Sequence, residues 1–264
     1  MRKKIFICLT VILSLTIALT FLGCGKNEQI LNLSQLAEKD IAVPTGTMAD
    51  KLVLSKFANA KIKYFNNITD ACLAVKTGKV TAAAYDEPIL KNIASKMDGL
   101  KVLDDMITYD DYAFAVNKDN IELKQTIDSV INELKESGKY EEMKNRWFPK
   151  NANTYELPQP VSNQYTETLY LGTSAVTEPF SFLYQNNTLT GFDIELAQLV
   201  ADKLQKNLEI VNMDFGALIP SLMSKKVDMI GACITVSEER AQKVLFSTPY
   251  YRGGIAAIVK DSSK

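Results

Sequence analysis

The chain has 264 residues, 47% hydrophobic and 23% charged, the balance of an ordinary globular protein. Lys+Arg number 30 against Asp+Glu 31, so a net charge of -1 offers no basic face to nucleic acid or to an anionic membrane surface. There is no histidine, which excludes serine–histidine and cysteine–histidine catalysis and argues against the usual zinc sites.

At the N-terminus, Arg2, Lys3 and Lys4 precede an apolar run over residues 5–21, followed by "FLGCG". A basic start, an apolar middle and small residues at the end describe an export signal. Cys24 follows Gly23 as the lipidated cysteine of a bacterial lipoprotein follows its small residue, although Phe21 stands where Leu, Val or Ile is more usual. Residues 1–24 are read as a lipoprotein signal peptide, with lipidation at Cys24. The alternative is an uncleaved membrane anchor. Both place the rest of the chain on the extracytoplasmic face of the cell membrane, tethered to it. Cys8 leaves with the leader, and Cys72 and Cys233 lie in apolar periodic segments, which predicts buried free thiols.

Residues 25–108 alternate strand and helix. "DIAV" reads as a strand, "TMADKLVLSKF" as an amphipathic helix and "KIKYF" as a strand. "ITDACLAVKTG" follows as a helix with Gly78 near its end, then "KVTAAAYD" as a strand with Glu87 and Pro88 opening another helix. This order predicts βαβ units with right-handed crossovers in a largely parallel sheet. Over residues 109–148, "YDDYAFAVNKD" reads as one strand, and helices follow over Ile121–Glu136 and Lys139–Trp147. Residues 149–168 hold three prolines and many amides with no apolar face, which describes a linker. From 169 to 252 the alternation resumes: "TLYLGT", a loop, the helix "DIELAQLVADKLQ", the strand "NLEIVNM", the helix "GALIPSLMSKK" and the strand "VDMIGAC". Residues 253–264 form a last crossover strand. "LAVKTGKVTAAAYD" and "PSLMSKKVDMIGAC" share one plan, as two lobes of similar architecture would.

Three places carry binding chemistry. In "VPTGTMAD", Gly46 allows close approach, and Thr47 with Asp50 three residues on resembles a capping box whose free N–H groups suit an anion. In "GACITVSEERAQ", Thr235 and Ser237 offer hydroxyl caps, with Arg240 able to hold a carboxylate through two parallel bonds. Asp86 ends a parallel strand, where open α/β sheets bind ligands. The local alternatives are a capped helix, a solvated first turn and a helix cap. Together the three propose Arg240 for a carboxylate and Asp86 for an ammonium, the charge pattern of an α-amino acid.

The segments "EPFSFLYQNNTLTGFDIELAQLVADKL", "DFGALIPSLMSKKVDMIGACITVSEERAQKVLFSTPYY", "IAVPTGTMADKL", "VTAAAYDEPIL" and "YAFAVNKDNIELKQTIDSVINELKESGKYEEMKNRWF" resemble the extracellular solute-binding proteins of family 3, the amino-acid-binding lipoproteins of ABC importers. The resemblance implies an α/β type II periplasmic-binding fold, two βαβ lobes with a hinge and a cleft between them. The family's order is reversed here. Residues 25–108 look like lobe 2, residues 169–252 like lobe 1, and the whole reads as circularly permuted. A fragment of two fused binding proteins, completing each other between chains, is the competing reading.

By resemblance, Arg240 holds the ligand carboxylate with Thr235 and, across the cleft, Thr47 beside Gly46. Asp86 takes the ammonium, and Phe215 forms an aromatic wall. Thr177 stands where many relatives have an aromatic ring, Ser174 where many have aspartate, and Cys233 where a polar residue is common. The missing aspartate favours a polar or small uncharged side chain in the ligand. The resemblance implies no enzyme, catalytic residue, metal or cofactor. It implies a monomer that bends at residues 109–114 and 253–259 and delivers its amino acid to an ABC permease. The alternatives are a ligand-sensing surface lipoprotein without transport, or an enzyme on the same fold, dehydratase-like or murein lytic, using Glu178 or Glu87.

Overall fold

The structure is a computed structural model that describes residues 29–148, 155–158 and 165–261. The proposed leader, with Cys24, and most of the linker lie outside these residues. Among the described residues no helix is long and apolar enough to cross a membrane.

The first sheet begins with β1 (Asp40–Pro44), α1 (Ala49–Lys56), β2 (Lys61–Phe65), α2 (Ile68–Lys76), β3 (Ala82–Asp86), α3 (Glu87–Lys96) and β4 (Leu100–Val102). β1 runs parallel to β2 and β3. Parallel neighbours require crossovers, and the helices supply them. β3 reads Ala-Ala-Ala-Tyr-Asp and is buried along its whole length, as a strand covered on both faces must be. β2 keeps Lys61 and Lys63 on the outer edge, where charge discourages pairing with another chain.

The chain then runs through β5 (Asp110–Tyr112) and β6 (Ala115–Val116), and through α4 (Ile121–Glu136) and α5 (Lys139–Trp147). The second half supplies β7 (Thr168–Thr173), the short strands β8 (Val176–Thr177), β9 (Ser181–Tyr184) and β10 (Thr188–Thr190), α6 (Phe192–Lys203) and β11 (Asn207–Asn212). A 3₁₀ turn (Phe215–Ala217), α7 (Leu218–Met223), β12 (Met229–Ile230), α8 (Glu238–Ala241), β13 (Leu245–Phe246), β14 (Tyr251–Gly253) and β15 (Ile255–Lys260) complete it.

Two five-stranded sheets result, ordered β2-β1-β3-β15-β4 and β11-β7-β12-β6-β13. Each takes one antiparallel strand from a chain arriving from the other lobe: β15 beside β3 and β4, and β6 beside β12 and β13. Between the sheets β5 and β14 pair antiparallel, Tyr112 opposite Tyr251, and form a two-stranded hinge. This is the two-lobed α/β arrangement, with hinge and cleft, that the resemblance implies. In the second lobe Leu218, Leu222, Val227, Ile230, Ile234 and Val244 close the core. Each such buried side chain contributes about 1.5–3 kcal/mol.

Several sequence expectations need correction. "YDDYAFAVNKD" is two strands, because the chain leaves the hinge at Tyr112 and enters a lobe sheet at Ala115. Between them Ala113 N–H donates to Ile234 O at 3.1 Å, and Phe114 N–H to Ser247 Oγ at 3.2 Å. The second crossing is shorter than residues 253–259, since β15 already lies in the first sheet. The loop expected after β7 contains a hairpin, β9 with β10, turned by Asn186 and Asn187 at φ 57 and 60. The expected helix "GALIPSLMSKK" is a 3₁₀ turn plus the six residues of α7. The linker does have an apolar anchor: Tyr155 is buried against Trp147, Phe182 and Tyr184.

Candidate functional site

Three strand ends converge where the lobes face each other. β1 ends in the turn Thr45–Thr47, with Gly46 at φ +80, a conformation glycine adopts without strain. The Thr47 hydroxyl donates to Pro44 O at 2.9 Å and accepts from Ala49 N–H at 3.3 Å. The expected capping box with Asp50 does not form. Met48 is the N-cap, and Asp50 instead accepts from Lys51 N–H and from the Tyr64 hydroxyl.

β3 ends at Asp86, which is 5% exposed and makes no side-chain cap to α3. Its Oδ1 accepts from the Tyr112 hydroxyl, and its Oδ2 lies 4.0 Å from Cys233 Sγ. Burial, foremost, pushes the Asp86 carboxyl up to about 7; the Tyr112 bond opposes this, Asp110 adds to it and Arg240 opposes it. Burial likewise raises the thiol of Cys233, which Asp86 and Asp193 reinforce.

Beyond β12 the backbone turns through Cys233 at φ 45, a left-handed conformation rare for a side-chain-bearing residue. The turn is held by Asp193, wholly buried, whose Oδ2 accepts from Cys233 N–H at 2.9 Å. Thr235 bridges to Tyr112 and offers its carbonyl, not a capping hydroxyl: Arg240 NH1 donates to it at 3.0 Å. Ser237 is the N-cap of α8 and accepts from Arg240 N–H at 3.3 Å. The Arg240 guanidinium lies 5.4 Å from the centre of the Phe215 ring. Burial lowers its proton affinity from the ordinary value, with Asp86 acting in the opposite sense.

Thr47, Asp86, Phe215, Cys233, Thr235 and Arg240, joined by Met48 and Tyr85, line one cavity of about 10 Å³. Four of them, Thr47, Met48, Phe215 and Arg240, also line an adjoining cleft of about 440 Å³, which includes Gly46. Ser174 and Thr177 line neither. Both are buried, and the Thr177 hydroxyl donates inward to Ser174 O at 3.1 Å and Ser181 O at 3.3 Å. Thr177, paired in β8 with β9, is turned into its own lobe. Sequence reasoning missed Tyr112 and Asp193. The "GFD" block marked the neighbourhood of Asp193, whereas nothing local in "YDDYAF" separates Tyr112, fully buried, from Tyr109, 70% exposed.

The proposed acids of an enzymatic site are engaged elsewhere. Glu178 pairs with Lys96 and accepts from the Tyr155 hydroxyl at 2.9 Å, and Glu87 pairs with Lys91. Cys72 and Cys233 are both buried and free. Among the described residues no group of three or more Cys, Asp or Glu is placed to hold a metal.

Residues 169–264 match the model of the bacterial extracellular solute-binding proteins, family 3. Over this segment, a little more than a third of its length, the chain is similar to that family. Its curated relatives include the ABC transporter arginine-binding protein 1 of Escherichia coli (strain K12), 36% identical over 36% of this chain and 39% of that protein. The L-cystine-binding protein TcyJ of the same strain is 37% identical over 37% of this chain and 36% of its own length. The arginine-binding extracellular protein ArtP of Bacillus subtilis (strain 168) is 39% identical over 36% and 37%. The chain thus spans well under half the length of each of these solute-binding proteins. Among solved structures, the arginine-bound form of domain 1 from TmArgBP is 39% identical, covering 35% of this chain and 79% of that one at a TM-score of 0.32.

Proposed function

We propose that this solute-binding protein binds an α-amino acid outside the cytoplasm for delivery to an ABC importer. One observation carries the reading: Asp86 from one lobe and Arg240 from the other line the same small cavity. A buried carboxylate and a buried guanidinium are costly unless paired, and a zwitterion supplies both partners at once. Arg240 takes the ligand carboxylate, Asp86 the ammonium, and Phe215 packs against the ligand. A cavity of about 10 Å³ holds about one water, so entry requires the lobes to part at the β5–β14 hinge and close again.

The reading keeps a polar or small uncharged side chain for the ligand, on the ground that Ser174 stands where many relatives have aspartate; Ser174 itself lines neither the cavity nor the cleft. The names of the relatives include arginine and L-cystine binders, which makes L-arginine the discriminating ligand in any screen. The reading is of a binding protein and not an enzyme, with Glu178 and Glu87 committed to lysines. It extends to lipidation at Cys24, residence on the extracytoplasmic face of the cell membrane, an ABC permease as partner, and a monomer with its lobes in permuted order.

The test is a thermal-shift screen of the protein against the twenty L-amino acids and L-cystine. A ligand at about a hundred times its dissociation constant adds roughly 2.7 kcal/mol. One clear hit on a species of monomer mass supports the reading, and a folded monomer that responds to none of them refutes it.

A further inference from the structure

The Tyr112 hydroxyl lies between the two chains of the hinge. It donates to Asp86 Oδ1 and accepts from Gly254 N–H at 3.0 Å. Its ring is fully buried, stacked on Tyr251 at 5.8 Å and edge-on to Phe180 at 5.8 Å. The second crossing is shaped around it: a Cβ on Gly253 would come within 2.7 Å of the Tyr112 oxygen, so only glycine leaves the hydroxyl its place. Asp86 Oδ2 remains on the side of Cys233, which lines the small cavity.

We propose that Tyr112 is a positioning residue: from the hinge it fixes Asp86 Oδ1, presents Oδ2 to a ligand cation, and ties this carboxylate to the backbone of the second crossing at Gly254. The assignment rests on the reading of Asp86 as the ammonium partner. Five titratable groups surround Asp86: Tyr112 and Asp110 on β5, Tyr85 on β3, Cys233 after β12, and Arg240 on α8. Of these, Tyr112 alone donates a hydroxyl to the carboxylate and so favours its ionised form. Removing that hydroxyl leaves Asp86 easier to protonate, and a protonated Asp86 has no charge for an ammonium.

The experiment is a carboxyl NMR titration of the full chain carrying ¹³C-labelled aspartate, with the Asp86 signal identified by its loss in Asp86→Asn. In Tyr112→Phe the Asp86 midpoint moves up by about one pH unit, a tenfold tighter hold on the proton. Affinity for L-arginine and L-glutamine, followed from pH 6 to 8, falls on the acid side for both proteins, with the Tyr112→Phe curve displaced toward alkaline pH. A purely structural tyrosine would lower affinity equally at every pH. Identical Asp86 midpoints in the two proteins overturn the proposal. Should Tyr112→Phe fail to fold, 3-fluorotyrosine at position 112, a stronger donor of nearly the same shape, must move the midpoint down; an unmoved midpoint overturns the proposal equally. The underlying reading fails separately: if Asp86→Asn binds amino acids as well as the native chain, Asp86 is no ammonium partner, whatever its titration shows.

Discussion

Gly46 and Gly216 meet across the cleft: a Cβ on Gly46 would lie 3.3 Å from Gly216 Cα. Gly46 also sits at φ +80, so a side chain there strains its own backbone and presses on the opposite lobe. Gly46→Ala is expected to cost about 1–2 kcal/mol through the left-handed backbone and to weaken amino-acid binding further by obstructing closure. Gly216→Ala meets nothing within 4 Å and should leave both properties near wild type. Thermal unfolding and calorimetric titration of the two variants check this, and equal behaviour would contradict it.

Arg240 should dominate affinity. The residue is 8% exposed, its guanidinium bonded to Thr235 O and laid over Phe215. Arg240→Ala deletes the partner of the ligand carboxylate, a change of a buried charge pair worth about 2–5 kcal/mol, so binding should drop at least thirtyfold. Arg146→Ala breaks only the 3.1 Å ion pair with Glu195, away from the cavity, and should leave the dissociation constant within about threefold. Comparable losses in the two variants would remove Arg240 from the site.

The reach of the sequence ended where chain-distant partners begin. Helices over Ile121–Glu136 and Lys139–Trp147 are legible because their apolar positions recur every three or four residues, a signal contained in the segment itself. Asp86 is legible as a charge at a strand end, and Arg240 as a charge beside hydroxyl caps at a helix start. The inward turn of Thr177 is not, since it depends on pairing between β8 and β9, two-residue and four-residue strands too short to show a period. Tyr112 escapes for another reason. Its importance lies in meeting Asp86, 26 residues earlier, and Gly254, 142 residues later, and no local pattern encodes either contact.

Stability should rise on mild acidification. The Asp86 carboxyl is raised from 3.8 to about 7 in the folded chain, and Asp193 likewise to about 7, both chiefly by burial. Between these values the folded state binds more protons than the unfolded one, so stability falls as pH rises through that window. Exposed carboxylates such as Glu133 and Glu167 are held low by Lys203 and Lys206, and their support is lost only below the ordinary carboxylate range. The ligand-free protein should therefore melt higher at pH 5.5 than at pH 8. Asp86→Asn should raise the melting temperature at pH 8 by roughly 2–4 °C while abolishing binding. A variant that melts lower would show that the native carboxylate is not the burden described.

Asp193 supports the cavity from behind. Asp193→Ala leaves the buried Cys233 N–H without its acceptor, which costs about 1–3 kcal/mol and loosens a turn that lines the cavity. Asp193→Asn keeps an oxygen in reach of that N–H and should lose much less affinity. Calorimetric titration of the pair with the amino acid found by the screen decides it; equal affinities would mean the turn holds without Asp193.

Tyr155 tests whether the linker is part of the fold. Its ring centre lies 5.5 Å from that of Trp147, 5.0 Å from Phe182 and 5.6 Å from Tyr184, and its hydroxyl reaches Glu178 at 2.9 Å. Glu178 in turn pairs with Lys96 of the other lobe, so one tyrosine joins the linker to a contact that spans the cleft. Tyr155→Ala should cost about 3–5 kcal/mol, the range for emptying a large aromatic site, whereas Tyr155→Phe should lose only the hydrogen bond, about 0.5–3 kcal/mol. Denaturant unfolding of the two variants separates these outcomes. If both unfold with the native midpoint, the linker is a passive tether and the stability of the joined halves comes from elsewhere. The expected order, with the alanine variant far weaker, means that the connection between the halves is itself a packed element.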